Sequence, residues 1–348
     1  MPSIMNFVVN SALDNTGSRP TLDKTRCLNA RQGKVKCTAC LDICPSGALQ
    51  IPEKGRADWE KCQTCGLCTA VCPSGALGFT QYRQRKAAQM LADDRPVHIL
   101  GCQQAQGDMD SKAWCLSAFT WELIAALALR GRVELVHGDC ENCPRKEKFG
   151  CFGEALERVR LFLGDARFER EITVRAAGEA TKREVSRREL FSSLLPTAGR
   201  KPKNAENLME SFGDDGQALR LMLAKTMEKL EDQDEKFGWE APNFTDKCWA
   251  CGICAKICPN DAIRTKEKDG VWRVVCSPLL CTGCGACEVV CMDGGIDGLK
   301  LVQLAARKKR IVHKTQAGIC PECGGAVKPG SGYEICLRCR VKPKKKTK

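Results

Sequence analysis

Four cysteine runs, arranged as two pairs, constrain this chain more than any other feature. Cys62-x2-Cys65-x2-Cys68-x3-Cys72-Pro73 and Cys248-x2-Cys251-x2-Cys254-x3-Cys258-Pro259 share one spacing. Cys281-x2-Cys284-x2-Cys287-x3-Cys291 repeats it without the proline, and Cys37-x2-Cys40-x3-Cys44-Pro45 is a broken copy. Three thiolates this close converge on one corner of a metal cluster, and the fourth, sent away by the proline, reaches a neighbouring cluster. Cys-Pro-x-Gly-Ala-Leu occurs twice, at 44–49 and 72–77, which marks an internal duplication of one cluster-binding half. Such a chain uses inorganic clusters to fill and staple its interior, which accounts for an aromatic content of only 5%.

The 348 residues leave room for two or three domains. Twenty-six cysteines would indicate a disulfide scaffold in a small secreted protein. Here the chain is long and the spacings are metal spacings. The first thirty residues carry no apolar h-region, and no run of eighteen apolar residues occurs. The expectation is a protein of a reducing compartment, the cytoplasm, with no membrane span. The formal charge of +13 invites a nucleic-acid reading. Each thiolate-bound cubane and each four-thiolate zinc contributes about −2, however, so four cubanes and one zinc leave roughly +3. No nucleic-acid partner is therefore expected. The remaining basic residues gather in Arg307–Arg310 and Lys342–Lys348, a solvated end or a docking surface for an acidic partner.

The expected fold class is α+β: two dicluster domains flanking a small α/β domain, with a cysteine-rich knuckle at the end. Residues 1–26 read as a lead-in, 27–95 as the first dicluster domain, and 96–177 as the α/β domain. Residues 178–245 read as a charged linker, 246–312 as the second dicluster domain, and 313–348 as the terminal knuckle and basic tail. In the middle, Val97–Leu100 and Arg132–Val136 read as strands and Ile172–Val174 as a third. Trp114–Leu129 and Glu154–Leu163 read as helices, which together suggest a parallel sheet. Leu219, Met222, Leu223, Met227 and Leu230 have helical spacing and predict a helix packed on a neighbouring domain. Ser186–Phe191 has the form of a twin-arginine signal, but it sits mid-chain with no hydrophobic run behind it and reads as chance.

The two cassettes, over roughly 27–80 and 246–300, resemble the bacterial two-cluster ferredoxins, here duplicated in the manner of a polyferredoxin. That resemblance implies crossed ligation. Cys62, Cys65 and Cys68 take Cys44 as fourth ligand of one 4Fe–4S cluster, and Cys72 returns to the other with Cys37 and Cys40. The family's remaining position is occupied by Lys34, so Cys27 is the candidate for the missing thiolate. The alternative is a three-iron cluster or an oxygen ligand, with Cys27 idle. In the second cassette the resemblance pairs Cys248, Cys251 and Cys254 with Cys291, and Cys281, Cys284 and Cys287 with Cys258. Met292 replaces the usual proline there. Cys276 is supernumerary and reads as a buried structural thiol.

Cys320-x2-Cys323 and Cys336-x2-Cys339, twelve residues apart, have zinc-ribbon spacing, with a rubredoxin-like iron as the rival. The middle domain has five more cysteines. Cys102 ends the first strand, Cys115 opens the first long helix, and Cys140-x2-Cys143 follows the second strand, with Cys151 beyond. Cysteines at the C-terminal ends of parallel strands converge on one sheet edge. This region is similar to the small iron–sulfur subunit that links hydrogenases to heterodisulfide reductase, a subunit with a 2Fe–2S centre. The resemblance implies a fifth cluster on Cys102, Cys115, Cys140 and Cys143, with Cys151 in reserve. The alternative is a set of buried or zinc-binding thiols. His98, His137 and His313 are scattered and read as structural. No Gly-x-Gly-x-x-Gly, P-loop or Cys-x-x-Cys-His marks a flavin, nucleotide or covalent haem site.

The leading expectation is an electron-transfer protein or subunit, not catalytic alone, relaying single electrons between a redox enzyme and another carrier. Proteins it resembles serve molybdenum or tungsten oxidoreductases such as formate dehydrogenase, or hydrogenases. The alternative is a heterodisulfide-reductase-like enzyme subunit whose middle cluster does thiol or disulfide chemistry. A third reading, a regulator binding nucleic acid through ribbon and tail, is weakened because Tyr333 is the only ribbon aromatic.

Overall fold

The computed structural model describes residues 19–31, 35–51, 56–78, 81–93, 95–143, 146, 150–178, 218–230, 235–304 and 310–341. The twin-arginine-like segment, most of the lead-in, Arg307–Lys309 and the terminal lysine run lie outside the described residues. The chain divides into two compact units, residues 1–23 with 38–232 and residues 24–37 with 233–348.

In the first unit, strand β1 (Thr21–Leu22) pairs antiparallel with β4 (Leu77–Gly78), and β2 (Leu49–Ile51) pairs antiparallel with β3 (Arg56–Ala57). One-turn helices, Ala39–Asp42 and Leu67–Ala70, carry Cys40 and Cys68. These elements are too short to hold a hydrocarbon core of their own. A four-stranded sheet follows, in the order β6 (Ser111–Ala113), β5 (Val97–Cys102), β7 (Arg132–His137), β8 (Ile172–Ala176), parallel throughout.

Apolar runs such as Val97–Cys102 suit strands covered on both faces. Leu100, Val133, Leu135 and Val136 have no exposed surface. The helix Trp121–Ala128 starts where the Thr120 hydroxyl accepts from the Leu123 N–H at 3.4 Å, and six of its eight residues are buried. The long helix expected over Trp114–Leu129 is therefore divided. Ser111–Ala113 is a strand, Cys115 is extended (φ −147°, ψ 152°), and Leu116–Ala118 is a 3-10 turn.

The helix Ala218–Met227 packs on Trp121–Ala128 and on Gln81–Ala92. Arg220, 5% exposed, joins Glu122 at 3.2 Å and lies over the Trp121 ring at 5.2 Å. The pair neutralises a charge that burial would otherwise make costly.

In the second unit, β9 (Phe237–Phe244) pairs antiparallel with β12 (Ile296–Leu304). A three-stranded sheet runs β10 (Ile263–Lys268), β11 (Val271–Cys276), β13 (Arg310–Thr315). Asp269 and Gly270 close its hairpin, both with positive φ, the backbone that a two-residue primed turn requires. The segment 24–37 belongs to this unit. Leu28 and Val35 are buried with Ala286, and Cys37 and Cys284 pack against them, while the Arg31 guanidinium donates to the Lys256 carbonyl at 2.8 Å. A small hairpin, β14 (Gly318–Ile319) with β15 (Ala326–Val327), and the helix Leu337–Arg340 form the terminal knuckle. Among the described residues no helix is long and apolar enough to cross a membrane.

Candidate metal centres

The three intact runs share one backbone. The residue before the second cysteine is left-handed in each: Thr64 (φ 51°), Ala250 (φ 59°) and Gly283 (φ 69°). So is the residue after it: Gly66 (φ 79°), Gly252 (φ 75°) and Gly285 (φ 71°). Such alternation turns successive N–H groups toward one point and makes a concavity that favours an anion. Thr64 and Ala250 hold this shape without being glycine, at a local cost of roughly 1–3 kcal/mol each. The broken copy differs at the corresponding position, where Thr38 has φ −116°.

All four runs agree three residues past the last cysteine. Gly47, Gly75, Asp261 and Gly294 have φ between 51° and 66°. The turn aims backbone donors at the departing sulfur: Leu77 N–H to Cys72 Sγ at 3.5 Å, Ala262 to Cys258 at 3.3 Å and Gly295 to Cys291 at 3.1 Å. At Cys44, burial raises the thiol's pKa, but the N–H groups of Leu49, Ser46 and Ala48 and the Ser46 hydroxyl outweigh it and hold it below its ordinary value. Met292 leaves this turn intact, so the missing proline changes little. A side chain at Gly295 would bring its Cβ within 2.9 Å of the Cys248 Cα, a closeness only glycine allows.

The thiols of the triplets are crowded. Burial pushes Cys68 up to about 12, with further contributions from Cys65, Cys40, Cys44 and Cys62. Cys287 is likewise pushed to about 12 by burial and by Cys281, Cys284 and Cys258, and Cys254 rises by burial and by Cys251 and Cys248. Bare thiolates are disfavoured there, and a bound cationic metal core would reverse that preference.

Cys27 is buried at the start of the turn Leu28–Arg31. Asn29 ties that turn to Cys37: its amide donates to the Cys37 carbonyl at 2.6 Å and accepts from the Cys37 N–H at 2.9 Å. Asn29 was not singled out from sequence, where an isolated asparagine carries no signal. Cys276 is fully buried at the end of β11, and its thiol is raised first by a hydrogen bond with Cys281 and then by burial. His313, stacked on Phe244, shares a hydrogen bond of 2.8 Å with the Cys248 carbonyl and so braces that loop. Asp293 accepts from Trp249 Nε1 at 2.8 Å and pairs with Lys328 of the knuckle.

In the α/β domain, Cys102, Cys115, Cys140 and Cys143 line one cleft of about 360 Å³ including its open mouth, together with Gln104, Trp114, His137 and Lys146. Cys102 ends β5, and the other three follow the C-terminal ends of β6 and β7. Cys115 precedes the 3-10 turn rather than opening the long helix, and this extended residue turns the chain off β6. The Gly138 N–H donates to Cys102 Sγ at 3.1 Å, and a Cβ at Gly138 would meet the Gln104 Cβ at 2.5 Å, so the Gly-Asp-Cys turn needs its glycine. Burial, then Cys102, Cys115 and Cys143, raise the Cys140 thiol. His137, read as structural, has Nδ1 3.5 Å from Cys140 Sγ and 2.7 Å from the Gly138 carbonyl. The side chain of Cys151 lies outside the described residues. His98 is buried in β5, away from this cleft's lining.

The terminal knuckle brings Cys320, Cys323, Cys336 and Cys339 together with every sulfur within 4.8 Å of the others, a four-thiolate group able to hold a metal ion. The Cys336 N–H holds Cys320 down at about 6 despite its burial. Gly324 is left-handed, and Gly325 leaves room beside the sulfurs of Cys323 and Cys336.

The model of the 4Fe-4S dicluster domain family matches residues 33–76 and again 247–295. Those stretches include every cysteine of the four runs. Neither a curated protein nor a solved structure matches the chain. Two stretches of the chain are thus ferredoxin-like 4Fe-4S dicluster regions, which supports an iron–sulfur protein.

Proposed function

We propose that this protein relays single electrons through four 4Fe–4S clusters between a redox enzyme and a second carrier. The observation that carries the reading is the loop repeated at Thr64–Gly66, Ala250–Gly252 and Gly283–Gly285, whose turned N–H groups suit an anionic cluster. The proposed ligand sets that lie within one unit are Cys44, Cys62, Cys65, Cys68; Cys248, Cys251, Cys254, Cys291; and Cys258, Cys281, Cys284, Cys287, and the fourth cluster is carried by the resemblance alone. When bound, the clusters supply one-electron redox capacity. The chain's own part is to exclude water and donate N–H groups to sulfur, which tunes the potential.

Cys320, Cys323, Cys336 and Cys339 would hold a structural zinc, since their close approach suits one tetrahedral ion. The four cysteines of the α/β cleft line one open cavity of about 360 Å³, which we take as the site of a fifth iron–sulfur centre. The partner would be an oxidoreductase of the molybdenum or tungsten class, or a hydrogenase, by analogy alone, and the working place is the cytoplasm. The second reading, an enzyme of thiol or disulfide chemistry, is favoured only by that open cleft.

Anaerobically purified protein is expected to hold about sixteen iron, or about eighteen with a 2Fe–2S centre, and about one zinc. It should accept electrons from dithionite and speed transfer from a cognate oxidoreductase to a second carrier, less so at high salt. Eight iron or fewer in a reconstituted sample would refute the four-cluster reading. Steady turnover of a small disulfide by the isolated protein would replace the relay with the enzyme.

A further inference from the structure

Cys65 of the first cassette and Cys115 of the α/β domain, fifty residues apart in sequence, share one apolar core within the first unit. That core comprises Ile43, Cys65, Leu67, Cys115 and Ala118, with Cys68, Val71, Ala113 and Trp114 packed against it. The helix Leu67–Ala70, which carries Cys68, lies on the 3-10 turn Leu116–Ala118 that follows Cys115. Leu67 and Leu116 have no exposed surface, so this seam is packed protein without a water layer.

The cleft's cysteines divide into two halves. Cys102 (8% exposed) and Cys115 (9%) are buried, whereas Cys140 and Cys143 are half-buried beside an exposed Lys146. Cys115 alone of the four belongs to both the cleft and the shared core.

We infer that the α/β cleft is the outer terminus of an electron path. Its inner neighbour is the cubane of Cys44, Cys62, Cys65 and Cys68, and Trp114–Ala118 forms the junction. The inference rests on reading the four cleft cysteines as cluster ligands. With both groups bound, Cys44, Cys62, Cys65 and Cys68 would hold one one-electron centre and Cys102, Cys115, Cys140 and Cys143 the other, and an exchange between them would oxidise one centre by the electron that reduces the other, with no bond or proton transferred. The dry seam excludes water from the gap, which limits the reorganisation that each hop requires. The half-buried side, Cys140 and Cys143, would meet a one-electron protein carrier.

The test compares the cluster-replete full chain with its Cys140→Ser/Cys143→Ser variant by iron analysis and electron paramagnetic resonance of the reduced proteins. The variant should lose the middle centre, about two iron for a 2Fe–2S site. The cubane signal should also lose spin-coupled splitting and relax more slowly. Iron loss with unchanged cubane relaxation overturns the junction and leaves the fifth centre standing. An unchanged iron content removes the fifth centre, and the junction with it. The reciprocal variant, Cys62→Ser, should slow relaxation of the middle centre's signal, and an unaltered signal there also overturns the junction.

Discussion

The terminal knuckle and the α/β cleft each gather four cysteines, by opposite means. The knuckle draws them from twenty consecutive residues, 320–339, and packs the sulfurs within 4.8 Å of one another around almost no core. The cleft draws them from residues 102–143, and a parallel sheet with buried helices fixes their positions from outside. A site that supplies its own core needs its metal to fold. A site held by a sheet can stay folded when its group is gone.

The largest expected effect separates the two at once. Replacing Cys320 and Cys336 by serine would remove the proposed zinc, whose binding is worth about 10–16 kcal/mol in comparable small modules. Amide exchange should then become fast across 318–341 while iron is retained. Persisting protection in the knuckle would mean that it folds without metal.

Next comes Arg220→Ala, which strands Glu122 against the Trp121–Ala128 helix and should cost about 3–5 kcal/mol. Denaturant unfolding would read it, and a loss below 1 kcal/mol would show that the Ala218–Met227 helix does not brace the sheet. Gly138→Ala should cost less, about 1–3 kcal/mol of overpacking. It should still abolish the middle centre by moving the N–H that faces Cys102, and the four cubanes should survive. A normal middle centre in that variant would detach the site from its turn. The smallest effect is expected for Asp293→Ala, which removes the pair with Lys328 and the acceptor for Trp249. Thermal stability should fall by at most about 1 kcal/mol, as for an exposed pair, with zinc and iron unchanged. Loss of zinc would show that the knuckle leans on the cassette.

Cysteine spacing made the metal-binding regions legible, because ligand geometry leaves few alternatives to Cys-x2-Cys-x2-Cys. The α/β strands were legible as apolar runs at Val97, Arg132 and Ile172. Ser111–Ala113 escaped notice because three residues of mixed polarity show no alternation, and its pairing with β5 is set by the sheet. Trp114–Leu129 looks like one helix because its apolar pattern is unbroken, and Thr120 stops it by offering a cap. The left-handed Thr64 and Ala250 are invisible in sequence, since nothing in either residue asks for that backbone. The packing of 24–37 with residues beyond 232 is a long-range choice that no local pattern encodes.

That last feature bears on the order of synthesis. Residues 24–37 are made before their packing partners Cys284 and Ala286, which come after the whole of 38–232. At ordinary elongation rates the intervening stretch takes on the order of 10–40 s to make. Through that interval the thiols of Cys27 and Cys37 wait without the surroundings in which they finally lie. In a chain built this way Cys27 and Cys37 are sheltered only after every cysteine between 38 and 232 has been made.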